Sequence, residues 1–243
     1  MQTFKNARAK MRILGFCAAV AVGLSGGHLS AQDTVEQRVA RIEAIKQIER
    51  LQGIYGYYQD RFLFDQSATL FTANNPEVHF DGQVWVGQKG LNRLMLHHFP
   101  QTLGGGSIGP RAGTMFDQPI LEGMVDVAPD GMSGTARFQV QGRYAVYGQE
   151  EWWIGGVYEN DYVNEDGVWK IKTLRYCSTW AAPYNSGWKN PVSPQGRFPW
   201  QKAAKGAGRA DRKTTCPELY LAGKVIPFKF AHPVTGQQIT VAR

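Results

Sequence analysis

The chain has 243 residues, of which 43% are hydrophobic, 12% aromatic and 19% charged. So many aromatic side chains beside so few charges exclude a disordered or low-complexity chain, and the length admits one large domain or a small domain with an extension. The formal net charge of +7 is concentrated at the start. Residues 1–31 hold Lys5, Arg8, Lys10 and Arg12 and no acid, leaving 23 basic against 20 acidic residues beyond them, too small an excess to imply a nucleic-acid partner.

Residues 1–12 are basic, 13–24 are an unbroken apolar run, and small residues follow up to Ala31. This is the pattern of a cleavable secretory signal, and the run is well short of the ~20 residues of a spanning helix. Phe16 before Cys17 is too large for a lipoprotein signal. The expectation is a soluble periplasmic or secreted protein that begins at Gln32 after cleavage at Ala31, with no stable membrane anchor. Cys177 and Cys216 then remain, and in an oxidising compartment an even pair reads as a candidate disulfide. It would pin the C-terminal tail to the end of the main domain.

Asp33-Thr34-Val35-Glu36 has capping-box spacing. Val35, Val39, Ile42, Ile45, Ile48, Leu51, Tyr55 and Tyr58 recur every three or four residues, which predicts an amphipathic helix over about 33–61, bent at Gly53 or Gly56. A short helix is expected over 67–71, a short strand over 77–81, and a third helix over 87–98 that Pro100 and the Gly104-Gly105-Gly106 loop stop. From Thr114 the period changes to two. Strands are expected near 114–127, 134–147, 151–164 and 167–178, joined by glycine-containing hairpin turns. Helices followed by an antiparallel meander imply an α+β domain over 32–180. Beyond it, 181–243 reads as an irregular extension draped over that domain.

Ile48-x-x-Leu51-x-x-x-Tyr55-x-x-x-x-Asp60, Ala68-x-Leu70-Phe71 and Gly87 occur in that order. Residues 156–163 (GVYENDYV) and 166–171 (DGVWKI) follow. Together these motifs, spanning about 40–178, resemble SnoaL-like proteins of the nuclear transport factor 2-like superfamily. The resemblance implies a curved antiparallel sheet closing as a cone around the first helix and leaving one deep apolar pocket. Relatives include polyketide cyclases, scytalone dehydratase, ketosteroid isomerase and lyases that remove formaldehyde from lignin-derived diaryl compounds. These work without cofactors, and fold alone does not settle function.

The resemblance puts Asp60 at the family's carboxylate position, where an apolar cone would raise its pKa into the range of proton transfer. The competing reading is a solvated helix-end acid paired with Arg61. Tyr55 and Tyr58 share a helix face and suit hydrogen bonding to a developing oxyanion, or plain aromatic packing. Tyr57 and Arg61 would line the cone instead if the helix turned at Gly56. Tyr158, Asn160 and Tyr162 alternate on one strand face with Trp152, Ile154 and Gly156. The match turns that face inward, with Asn160 where many relatives carry an acid. Where relatives carry an Arg-His pair, this chain has Gly113-Thr114-Met115. His97 or His98 could replace that histidine from another wall, and only one can face inward. Arg137, Gln139, Gln141 and Arg143 form a polar strip, either an outer or dimer-facing surface or a pocket wall. His79 alternates with core residues, and no histidine pair has metal-ligand spacing.

The expected function is an exported, cofactor-free lyase, dehydratase or isomerase acting on a small aromatic or polycyclic substrate, such as a lignin-derived aromatic. Asp60, Tyr58 and His98 are the candidate catalytic residues. Tyr55, Arg61, Tyr158, Asn160 and Trp152 are the candidates for substrate binding, with no metal and no cofactor. The alternatives are a non-catalytic ligand-binding module, or a dimer joined through the sheet face with its cone plugged by Trp180, Tyr184 or Trp188.

Overall fold

The structure is a computed structural model describing residues 33–202, 206–217 and 223–240. The proposed signal segment lies outside the described residues. Helix α1, Val35–Asp60, runs unbroken through Gly53 and Gly56. Its cap is one residue later than the spacing suggested. Thr34 Oγ1 accepts from Gln37 N at 3.2 Å while Gln37 Oε1 accepts from Thr34 N at 2.9 Å, the reciprocal arrangement of a capping box. Burial begins only at Ala44, and Val35, Val39 and Ile42 are exposed. The long periodic stripe is therefore a core face over its C-terminal two-thirds alone.

Helix α2, Phe64–Ala68, starts three residues before the expected segment. A hairpin follows, β1 (Glu77–Phe80) and β2 (Gln83–Val86), turning at Asp81 (φ 44°) and Gly82 (φ 85°). Two successive positive φ angles make a tight hairpin turn, which aspartate and glycine tolerate. Helix α3, Gly87–Arg93, widens into a π-helical turn over Leu94–His98 and returns to α geometry in α4, Phe99–Thr102. Pro100 sits just past the join where the π-turn returns to α geometry, and the helix runs on to Thr102 before the Gly104–Gly106 loop.

The expected strand over 114–127 is two strands, β3 (Thr114–Asp117) and β4 (Ile120–Val127), interrupted at Gln118-Pro119. Both pair antiparallel with opposite halves of β5 (Ser133–Val146). β6 (Glu150–Glu165) and β7 (Val168–Pro183) complete the long meander. The sheet order is β3-β5-β6-β7-β1-β2-β8, with β4 also on β5 and the short β8 at Arg212–Lys213. One pairing departs from the antiparallel scheme: β1 runs parallel to β7. The curved, unclosed sheet packs β3, β4 and β7 against α1.

After Pro183 the chain crosses back over the domain. Phe198 and Trp200 are buried to within 1% exposure, stacked on each other with ring centroids 4.6 Å apart. Trp200 also meets Phe116 and Tyr144 edge to face. A disulfide joins Cys177 of β7 to Cys216, so the strap between them is held at both ends. Tyr184 and Trp188 are exposed and Trp180 is half-buried against Trp188. The aromatic residues of the strap that close on the core are therefore Phe198 and Trp200, and none of the three candidates of the alternative reading, Trp180, Tyr184 and Trp188, is buried. No helix among the described residues is long and apolar enough to cross a membrane.

Candidate active site

Asp60 is the last residue of α1. Its Oδ1 accepts a 2.8 Å hydrogen bond from the backbone N–H of Gln118, the residue at the break between β3 and β4. Burial pushes the carboxyl up to about 6. The neighbouring Asp117 adds to the shift, while the Gln118 N–H and Arg61 oppose it. A like charge nearby and partial removal from water both disfavour the ionised form.

The Gln118 side chain is itself buried. Its Oε1 accepts from the Tyr158 hydroxyl at 3.1 Å, and its Nε2 donates to the Tyr176 oxygen at 3.0 Å. The Tyr176 and Ser178 hydroxyls lie 3.4 Å apart, and Ser178 Oγ donates to Asp81 at 2.8 Å. Asp81 also accepts from Ser178 N at 2.6 Å, from Trp200 Nε1 at 2.8 Å and from Gln201 Nε2 at 3.0 Å. Burial raises its pKa against the pull of those donors. Gln118 thus bridges the two tyrosines, Ser178 continues the network from Tyr176, and Asp81 anchors the strap at the far end.

Tyrosine rings fill the space between. Tyr158 and Tyr176 have centroids 4.7 Å apart, and Tyr55 meets Tyr158 edge-on at 6.1 Å and Phe71 at 6.2 Å. Gly156 makes room for this cluster. A Cβ there would come within 2.4 Å of the Tyr176 ring, so only glycine lets Tyr176 cross β6. Burial holds the phenol protons of Tyr158 and Tyr176 on.

A SnoaL-like domain family model matches residues 40–175, more than half of the chain. The chain belongs to the SnoaL-like family. Curated proteins include none that matches it. Among solved structures, a type 2 hexachlorocyclohexane dehydrochlorinase shares 18% identity over 65% of this chain and 99% of its own, with a TM-score of 0.51. That likeness supports the fold. A scytalone dehydratase-like protein from Novosphingobium aromaticivorans matches at 18% identity over 62% of this chain and 92% of its own, with a TM-score of 0.49.

Within the SnoaL-like domain, Asp60, Tyr55, Tyr158 and Asn160 converge on the interior. Tyr55, Tyr158 and Asn160 are all within 2% exposure. The strand face of Tyr158, Asn160 and Tyr162 points inward, and the Arg137 strip lies on the opposite face, where Arg137 pairs with Glu159 at 2.5 Å. Tyr58 is half-buried and Tyr57 is exposed, because α1 does not turn at Gly56. Arg61 is exposed, and its Nη1 bonds the Asp60 carbonyl oxygen at 3.1 Å. His97 faces out. His98 is buried, packed on Trp85, and its Nε2 donates to the Trp200 carbonyl at 2.9 Å. Burial lowers its pKa. Trp152 packs edge-on against Phe198 with Arg197 over its face. His98 and Trp152 therefore meet the strap.

Sequence reasoning missed Gln118, Tyr176, Ser178 and Asp81. The Gln118-Pro119 break inside an alternating run was the available signal, because proline interrupts a ladder.

Proposed function

We propose that this protein is an exported, cofactor-independent lyase of the dehydratase or eliminating type, or an isomerase, acting on a small aromatic or polycyclic molecule held in the cone interior. The observation that carries this reading is Asp60. It is a half-buried carboxylate on the inner end of α1, raised to about 6, with one oxygen fixed by the Gln118 N–H. At neutral pH such a group is roughly nine-tenths ionised, so it accepts a proton readily and returns it at little cost.

In an elimination, Asp60 takes a proton from a carbon next to an electron-withdrawing group. The C–H electron pair becomes the new double bond, and the neighbouring bond breaks with its pair leaving on the departing group. Asp60 then passes the proton to that group or to water. The Tyr55 hydroxyl, which keeps its proton and has no hydrogen-bond partner among the described residues, supplies a hydrogen bond where charge develops on a substrate oxygen. Export rests on the basic and apolar start of the sequence and agrees with a disulfide between the two remaining cysteines.

The test is turnover of oxygenated aromatic substrates by the purified oxidised protein without added cofactor. A rising limb of kcat/KM with an apparent pKa near 6 is expected, and a flat profile between pH 5 and 8 would contradict it. A second reading, a non-catalytic module filled by its own tail, draws on the burial of Phe198 and Trp200. It requires that no substrate turn over even when those two rings are truncated.

A further inference from the structure

Among the described residues, two of the buried polar side-chain atoms that lack a hydrogen-bond partner lie on α1. The Tyr55 hydroxyl and the Gln52 amide nitrogen are buried without any hydrogen bond, on residues with 0% exposure. They leave α1 three residues apart, on its one buried face. Unpaired buried donors are uncommon because each forfeits its hydration.

The orientation of the Gln52 amide follows from a chain of constraints. The backbone N–H of Arg175, which can only donate, bonds Asn160 Oδ1 at 3.0 Å. That fixes the Asn160 Nδ2 toward Gln52, so the atom meeting it at 2.8 Å must be the Gln52 oxygen. The Tyr162 hydroxyl donates to the same oxygen at 2.7 Å and accepts from Asn160 Nδ2 at 3.1 Å. Flipping Gln52 would set donor against donor. Its Nε2 is therefore forced to present both hydrogens elsewhere. Burial and the neighbouring Tyr162 and Tyr176 keep the Tyr55 proton in place, which leaves a second donor one helical turn further along the same face.

We propose that Gln52 and Tyr55 form the subsite for a neutral oxygen acceptor, such as a ring-borne carbonyl, hydroxyl or ether, so that the ligand is an oxygenated aromatic, not a hydrocarbon or halocarbon. This rests on the reading that the cone interior is the ligand site. Tyr158 and Phe71 edges beside Tyr55 supply the apolar surround for the ring. The leftover groups are uncharged, which suits a neutral oxygen better than a carboxylate.

The test compares two probes of the same shape, acetophenone and α-methylstyrene, in which a methylene replaces the carbonyl oxygen. Binding to the full, oxidised protein is followed by NMR, with the Gln52 and Asn160 side-chain amide signals as reporters. Acetophenone should bind roughly tenfold to a hundredfold more tightly, with the Gln52 Nε2 protons shifting. Tyr55→Phe, which removes an oxygen that has no partner, should keep the fold and shrink the preference. Gln52→Met should shrink it further if it folds. Equal binding of both probes inside the cone overturns the subsite and leaves the Asp60 reading standing. Failure of both to bind overturns the subsite and the ligand site together. A water that stays on Gln52 Nε2 when acetophenone is bound also refutes the proposal.

Discussion

Replacing Asp60 with asparagine should make the protein more stable above neutrality while disabling it. The Asp60 carboxyl titrates near 3.8 when unperturbed and at about 6 in the fold, so the folded state holds the proton more tightly. Its contribution to stability is complete below pH ~3.8 and is lost as the pH rises through about 6. Over that interval the full loss is ~3 kcal/mol at about 1.36 kcal/mol per pKa unit. Asp60 is only half-buried, and solvent screening reduces the figure to ~1–2 kcal/mol. Asp60→Asn removes the titration and keeps an oxygen for the Gln118 N–H. Urea unfolding of the oxidised proteins should therefore give equal stabilities near pH 4 and an excess of ~1–2 kcal/mol for the variant near pH 8. A wild type more stable than the variant at pH 8 would refute the reasoning, since it would mean that Arg61 stabilises the ionised carboxylate more than burial destabilises it.

Trp200→Ala should cost ~3–5 kcal/mol, because it empties a fully buried ring site and removes a donor from Asp81; an unchanged urea midpoint would show that the strap is not packed as described. Reducing Cys177–Cys216 should lower stability by ~3–4 kcal/mol for a loop of this length, and two free thiols titrated in the native, air-oxidised protein would contradict the bond. Mass spectrometry of the protein recovered after export should show Gln32 as the first residue; an intact Met1 would refute cleavage.

The sequence made α1 legible because its core residues Ile48, Leu51 and Tyr55 recur at helical spacing. The face of Tyr158, Asn160 and Tyr162 was legible because strand residues alternate. What stayed hidden was non-local. Gln118 matters only because β3 and β4 share β5 and so turn its N–H onto Asp60, 58 residues away. Asp81 looks like an ordinary strand end until Ser178, Trp200 and Gln201 converge on it. Trp200 sits in a stretch without periodicity, where hydropathy patterns carry no information about packing. Trp180, Tyr184 and Trp188 were the nearer aromatics in sequence, yet the aromatic rings of the strap that reach the core are Phe198 and Trp200, on either side of Pro199.

Proton transfer by Asp60 is the step on which the proposed function stands. Its most direct test is single-turnover chemistry of Asp60→Asn against wild type on one confirmed substrate at saturating concentration. Asp60→Asn should lose roughly 10²–10⁴-fold in the chemical rate with substrate affinity retained. Turnover by the variant at the parent rate would contradict it.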